Sequence, residues 1–213
     1  MLNPLRNPLT LLTTLTTTLT LTTALRAPTL LEPWQITRLS THSPSGYPGG
    51  HPYSRLRFTI HDPNTIVLGT TNFGDADFTP TSANCTVWWM SYEADPREGG
   101  WMNTCGETAA GGGGLQGKWM FEVVEGTGEG GVTTDFGVRV ALEEAVTLAQ
   151  GSVVKLRFQG EAAFRVGGNM AGSCGGSSVC NWGLKEEDSP VLVKQELIEM
   201  VCVSGTCEDE DVE

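Results

Sequence analysis

The sequence predicts an all-β protein, either an antiparallel β-sandwich or a small β-barrel, stabilised by disulfides. Three observations lead to this prediction. Short segments alternate apolar and polar residues, which is the period of a half-buried strand. Turn-forming glycine is abundant, with 27 in 213 residues, and separates these segments. The chain shows neither strand–helix alternation nor an internal repeat, which favours antiparallel pairing over a parallel sheet.

The strongest strand signal lies in residues 86–92, which include two consecutive tryptophans and lead into an Asp95-Pro96 turn. Neighbouring residues of a strand point to opposite faces, so one of Trp88 and Trp89 is expected to face inward and the other outward. An outward tryptophan could stack on a sugar ring or anchor a protein partner. The alternative is that a second sheet or a loop covers it.

The remaining elements follow from the same patterns. Residues 34–40 and 54–60 alternate and flank a loop rich in Pro, Gly and Ser, residues 41–53. Residues 65–68 are predicted as a short strand, and residues 69–83 mostly as loop. We expect seven to nine strands in all, the later ones in the segments 119–124, 136–142, 153–166 and 191–203, the last being one long strand or a strand followed by a hairpin.

Three intervening segments are not predicted as strands. Residues 106–117 include a run of four glycines that cannot hold regular structure. Residues 126–131 are predicted as a turn, and residues 143–150 as the one helix-like patch, with a loop as the alternative. A single β domain over residues 34–203 is therefore expected, followed by an acidic tail at 204–213.

The six cysteines all lie after residue 84, and their spacing does not match a zinc site. We predict disulfides between sequence neighbours, although other connectivities are formally possible. A bridge across a loop of about 20 residues would contribute on the order of 3 kcal/mol through loop-closure entropy. The predicted pairs are Cys85 with Cys105, Cys174 with Cys180 and Cys202 with Cys207, the first two more strongly than the third.

The N-terminus resembles a secretory signal. A Leu/Thr run without charge follows one arginine, and Thr22 and Ala24 suit the −3 and −1 positions of a cleavage site. The run is too short and too rich in Thr for a membrane anchor, and too poor in Arg for an organellar transit peptide. We therefore predict a signal peptide at 1–24, a lead-in at 25–33 and a secreted, extracellular protein. Asn84, in Asn-Cys-Thr, is the predicted N-glycosylation site.

The charge balance limits the possible partners. The net charge is −12, and no cluster of Lys or Arg is visible along the sequence. Phosphate backbones and anionic membrane surfaces would be repelled, so neither nucleic acid nor a membrane is expected as a partner.

No catalytic constellation stands out. Adjacent carboxylates such as Glu143 and Glu144 would point to opposite faces of a strand, and those of residues 186–188 are expected to be solvated. The three histidines, His42, His51 and His61, occupy different loop or turn positions and do not suggest a metal site. We predict no catalytic, cofactor-binding or metal-binding residue.

Several motifs resemble a known group of proteins. These are the segment 34–64, then NCTVWW with a second cysteine downstream, then GNMAGSCGGSSVCNWGL. They resemble small secreted proteins of filamentous fungi, similar in layout to the Alternaria major-allergen family. The resemblance implies a compact β-sandwich or barrel and, for some members, a role in eliciting or suppressing plant defence. It implies no enzyme activity. No cysteine precedes Cys85, so a disulfide-linked dimer is not implied, and Cys202 and Cys207 have no counterpart.

Together these features predict a secreted, non-enzymatic fungal protein that acts by binding, effector-like, at a host or cell-wall surface. The expected partner is a host protein or a cell-wall glycan, and the expected state is a monomer without cofactors. Three alternatives remain open. They are a carbohydrate-binding module with Trp88 or Trp89 as the stacking residue, a hydrolase with an unrecognised site, and a purely structural wall or surface protein.

Overall fold

A computed structural model describes residues 31–47, 50–71, 74–91, 94–108, 117–148 and 151–204. Over these residues the chain forms thirteen strands, two single-turn 3-10 helices and no α-helix. The predicted signal peptide, most of the predicted lead-in, the four-glycine run and nearly all of the acidic tail lie outside the described residues.

The strands are more numerous than the sequence indicated because several are short. The 3-10 helices are Pro96–Glu98 and Glu186–Asp188. The strands in chain order are β1 (Trp34–Ser43), β2 (Tyr53–Asp62), β3 (Ile66–Thr71), β4 (Gly74–Phe78), β5 (Thr81–Met90), β6 (Cys105–Thr108), β7 (Lys118–Glu125), β8 (Asp135–Thr147), β9 (Val153–Arg165), β10 (Met170–Cys174), β11 (Cys180–Leu184), β12 (Val191–Val193) and β13 (Gln195–Ser204).

The strands form two main antiparallel sheets. The large sheet has seven strands in the order β10-β11-β1-β2-β5-β6, with β12 also pairing with β1. The small sheet has the order β13-β9-β8-β7, and β3 and β4 form a separate two-stranded ribbon. The protein is therefore all-β and antiparallel, as the sequence predicted.

The core lies between the two main sheets. The Trp34 ring of the large sheet meets the Trp119 ring of the small sheet edge to face, with centroids 5.0 Å apart. Phe58 and Phe121 repeat this contact, also at 5.0 Å. All four side chains are buried. Because each strand alternates, its inward residues build this sandwich core and its outward residues form the two outer faces.

Two disulfides reinforce the large sheet. Cys85 of β5 is bonded to Cys105 of β6, directly across the strand pair. Cys174 and Cys180 close the hairpin between β10 and β11. Both pairs are those predicted from the sequence. Cys202 is also disulfide-bonded, while its predicted partner, Cys207, lies outside the described residues.

Two sequence-based predictions are wrong. Residues 143–147, expected to be helix-like, continue β8, because Glu144 and Val146 face the core while Glu143 and Ala145 do not, which is the period of a strand. Residues 69–83, expected to be mostly loop, contain the end of β3, all of β4 and the start of β5. These short strands carry too few apolar residues for their alternation to be visible in the sequence.

The last segment changes sheets. The strand β12 pairs with β1 of the large sheet, and β13 pairs with β9 of the small sheet, with Lys194 between them. Gly160 of β9 lies under this crossing. A Cβ at position 160 would lie 2.6 Å from the carbonyl oxygen of Lys194 and 2.7 Å from Cγ1 of Val193.

Gly160→Ala should therefore destabilise the fold. The added methyl group would collide with backbone that cannot move without disturbing both sheets, and the expected loss in free energy of unfolding is about 1–3 kcal/mol. Gly106→Ala is the matched control, because a Cβ there meets nothing within 4 Å. Urea unfolding measures both variants. Equal stability of the two would contradict the proposed tight approach at the crossing.

Candidate functional site: the outer face of the large sheet

The outer face of the large sheet carries a continuous set of polar and aromatic side chains. We define this outer face by the outward residues of β1, β2 and β5, which alternate with buried ones. The register places Arg55 opposite Trp88, Arg57 opposite Thr86 and Thr59 opposite Asn84. The face comprises Gln35, Thr37, Arg38, Ser40, His42, Tyr53, Arg55, Arg57, Thr59, His61, Ser82, Asn84, Thr86, Trp88 and Met90.

One end of the outer face is aromatic. Trp88 is 52% exposed, whereas its neighbour Trp89 is 6% exposed and belongs to the core. The guanidinium of Arg55 lies over the Trp88 ring, 5.0 Å from its centroid. His51 approaches Trp88 at 6.2 Å and Tyr53 at 5.3 Å between ring centroids. Of the two tryptophans proposed as stacking residues, only Trp88 is accessible.

A depression lies further along the same face. Its volume is about 410 Å³, and it is lined by Arg38, Leu39, Ser40, Arg57, Phe58, Thr59 and Asn84. The Thr59 hydroxyl donates a hydrogen bond of 2.7 Å to Oδ1 of Asn84. A β-bulge between Ile36 and Arg38 shifts the register of β1 at this point.

The predicted glycosylation site belongs to this depression. Asn84 is half-buried, and its side chain faces outward from β5. A glycan on Asn84 would therefore project from the outer face and occupy the depression. Glycosylation itself stays a prediction.

The outer face of the small sheet balances its charges. Arg139 pairs with Glu122 and with Glu161, the latter at 3.0 Å. Glu143 lies 3.2 Å from Lys155 and 3.5 Å from Arg157. Cross-strand pairs of opposite sign are the usual arrangement on an exposed sheet.

The outer face of the large sheet differs. Among the described residues, no carboxylate forms an ion pair with Arg38, Arg55 or Arg57, and no outward position of β1, β2 or β5 is Asp or Glu. The other described arginines are all ion-paired: Arg97 with Asp95 and Glu125, Arg139 with Glu122 and Glu161, Arg157 with Glu143, and Arg165 with Asp135.

The sequence shows no cluster of Lys or Arg along the chain, but the folded chain brings three arginines to one face. Arg55 and Arg57 are two residues apart on a strand, and this spacing already places both on one face. Arg38 joins them only through the pairing of β1 with β2. An acidic protein thus presents one face whose only formal charges, apart from histidine, are positive.

The histidines do not converge on a metal. Nδ1 of His42 lies 2.9 Å from Oδ1 of Asn181, and Nδ1 of His61 lies 2.8 Å from Oγ of Ser82. His51 contacts the aromatic end of the face. Within the described part of the chain, no group of three or more His, Cys, Asp or Glu side chains could hold a metal ion.

The candidate catalytic carboxylates are separated. Glu143 lies on the outer face of the small sheet, and Glu144 points into the core. Glu186, Glu187 and Asp188 form an exposed 3-10 helix. Adjacent carboxylates on opposite faces of a strand cannot flank one substrate bond, so this pair does not provide a glycosidase arrangement.

Glu144 is nevertheless unusual. Only 4% of it is exposed, and its Oε2 has no hydrogen-bond partner among the described residues. Burial, and then the negative charge of Asp62, raise the pKa of Glu144 to about 8. At neutral pH the side chain is therefore mostly protonated, which is how a carboxyl group with an unpartnered Oε2 is tolerated in the core.

Comparisons with known proteins add no relative. No family model matches the chain, and neither curated proteins nor solved structures give a match. The described residues include no helix with the length and apolar character needed to cross a membrane.

The buried carboxyl group makes stability depend on pH. The pKa of Glu144 is higher in the folded protein than the ordinary value of 4.5 expected on unfolding. The folded state therefore binds the proton more tightly, and its stability is complete below about pH 4.5 and falls as the pH rises through about 8. The loss is at most about 5 kcal/mol.

Glu144→Gln should flatten this dependence, because the amide cannot ionise. Urea midpoints measured between about pH 5 and pH 8 test the prediction. Glu143→Gln is the control and should keep the wild-type slope, since Glu143 lies outside the core. A slope that is the same with and without Glu144 would assign the pH dependence to other groups.

Proposed function

We propose that this chain is a secreted, non-enzymatic protein that binds an extended carbohydrate through the outer face of its large sheet, at a host or cell-wall surface. The observation that carries the proposal is the accessible indole of Trp88 on a regular sheet face, beside Tyr53 and His51. The fungal and effector-like part of the proposal rests on the sequence resemblance alone.

The aromatic end suits a sugar ring. A pyranose presents C–H groups on one face, which pack on an aromatic ring, and hydroxyl groups at its edge, which need hydrogen-bond partners. Trp88 offers the ring. The outer face beyond it offers the hydroxyls of Ser40 and Thr86 and the amide of Asn84. Because these groups project from paired strands, they are positioned before a ligand arrives, which lowers the entropic cost of binding.

The disulfides support an extracellular location. Cys85–Cys105, Cys174–Cys180 and the bonded Cys202 require an oxidising environment to form and persist. The predicted signal peptide at 1–24 provides the route to such an environment.

Trp88→Ala should weaken carbohydrate binding at least about tenfold, the scale of a central aromatic contact. Pull-down on insoluble chitin, cellulose, β-glucan and a polyuronate gel identifies which polymer retains the protein, and titration of the bound fraction measures the affinity. Trp101→Ala is the matched control. Trp101 is also a partly exposed tryptophan under an arginine, but that arginine is Arg157 of the small sheet.

Two results would contradict the proposal. The first is that no polymer retains the wild-type protein in a saturable way. The second is that Trp88→Ala and Trp101→Ala reduce retention equally, which would mean that binding is not centred on the outer face.

The extracellular location has its own test. Expression in a secreting eukaryotic host should yield a protein in the medium that has lost residues 1–24 and has no thiol that can be alkylated without reductant. A loss of mass on treatment with a glycosidase would show a glycan on Asn84, which would cover the depression. Intact mass spectrometry measures all three. Retention in the cell with free thiols would overturn the secreted assignment, whatever the result of the carbohydrate test.

A further inference from the structure

We infer that the ligand of the outer face is an anionic polysaccharide, a chain of uronate sugars whose carboxylates bind in the depression between Arg38 and Arg57. This inference rests on the proposed carbohydrate-binding function and adds the chemical class of the ligand. It follows from three properties of the face, namely its unpaired arginines, the polar lining of the depression and the position of Trp88.

The first step concerns the two arginines. Arg38 pairs with Thr59 across β1 and β2, and Arg57 pairs with Ser40. Arg38 and Arg57 are therefore diagonal neighbours, which in a sheet are separated by about 7–8 Å. Both are exposed, and neither has a carboxylate partner among the described residues. A guanidinium binds a carboxylate through two parallel hydrogen bonds, so two such groups around one depression form a site for carboxylates.

The second step concerns the lining. Ser40, Thr59 and Asn84 line the same depression as the arginines and supply hydroxyl and amide groups. Thr59 donates its hydroxyl hydrogen to Oδ1 of Asn84, which orients the amide so that its N–H donors point away from Thr59. This lining can hydrogen-bond sugar hydroxyls as well as carboxylate oxygens. A purely cationic patch would lack such groups.

The third step concerns length. Trp88 and Asn84 lie on the same face of β5, four residues apart, which at a rise of about 3.3 Å per residue is about 13 Å. A single small anion cannot contact both. A polymer that carries carboxylates and also presents apolar ring faces can bind Arg38 and Arg57 at one end and stack on Trp88 at the other.

The density of charge distinguishes a polyuronate from nucleic acid as the ligand of this face. A net charge of −12 over the whole chain opposes any polyanion, and it opposes most strongly a nucleic-acid duplex, which carries one phosphate charge per about 1.7 Å. Three arginines on one face would neutralise few of those phosphates. A polyuronate has one charge per sugar and hydroxyl groups between the charges, which matches the mixture of groups on the outer face.

The test compares three polymers: two share a sugar backbone and differ in charge, and the third carries carboxylates on a peptide backbone. The full chain is produced in a bacterial periplasm, where disulfides form and Asn84 is not glycosylated, so that the depression stays open. Binding is measured by titration calorimetry with polygalacturonate, with its methyl-esterified form and with polyglutamate. Polygalacturonate should bind at least about tenfold more tightly than the methyl ester. Added salt should weaken the polygalacturonate complex and leave the complex with the methyl ester unchanged.

Variants then assign the preference to residues. Arg57→Gln should reduce affinity for polygalacturonate about tenfold and leave the methyl ester unchanged, and Arg38→Gln should act in the same direction. Arg57→Lys should recover part of the loss, because it keeps the charge and loses the paired hydrogen bonds. Lys194→Gln is the control, since it removes one positive charge at an exposed residue outside the face. Thermal unfolding of each variant verifies that the fold is retained.

The outcomes separate the inference from the proposed function. Equal binding of polygalacturonate and its methyl ester, lost in Trp88→Ala and kept in Arg57→Gln, would overturn the inference and leave the carbohydrate-binding function standing. Binding of polyglutamate as tight as that of polygalacturonate would assign the face to an acidic peptide and overturn both. The absence of binding to any carbohydrate would also overturn both.

Discussion

The packing of the large sheet on the small one is the constraint on which the rest of the structure depends. The ring pairs Trp34–Trp119 and Phe58–Phe121 join the two sheets across the core. Because side chains alternate along a strand, burying one residue at this interface determines which face each of its neighbours occupies. Phe58 faces inward, so Arg57 and Thr59 face outward. The candidate binding face is therefore a direct consequence of how the core is built.

The outer faces of the two sheets share the same strand geometry but differ in how their arginines are paired. The small sheet neutralises Arg139 and Arg157 with glutamates on neighbouring strands, an arrangement that needs no ligand. The large sheet leaves Arg38, Arg55 and Arg57 without such partners. Exposed ion pairs contribute little to stability, so the difference costs the fold little. The unpaired arginines make the outer face of the large sheet positive, whereas the charges on the small sheet are paired, in a protein whose net charge is −12.

Two disulfides and one close backbone approach fix the edges of the large sheet and the crossing to the small one. The disulfides join strands that are already paired, β5 with β6 and β10 with β11, and so restrict the edges of the sheet that carries the outer face. The close approach at Gly160 lets the last segment leave the large sheet and add β13 to the small one. Buried Glu144 adds a pH-dependent contribution to stability from inside the sandwich. The outer face thus lies on a sheet whose two edges are cross-linked by disulfides.

The sequence by itself determined the class of the fold, the strands with long alternating patterns and the pairing of the first two disulfides, because these depend on neighbours along the chain. It also placed Arg55 and Arg57 on one face and made Trp88 and Trp89 point in opposite directions.

The sequence pattern misassigned residues 143–147, where a strand in the middle of a sheet carries two glutamates, and residues 69–83, where short strands leave no clear period. Only the tertiary structure decided which tryptophan is exposed, that Arg38 joins the arginines of β2, and that Glu144 is buried where the charge of Asp62 raises its pKa. Each of these depends on which strands are paired and which sheet covers which face, and contacts between residues distant in the chain are not encoded in local periodicity.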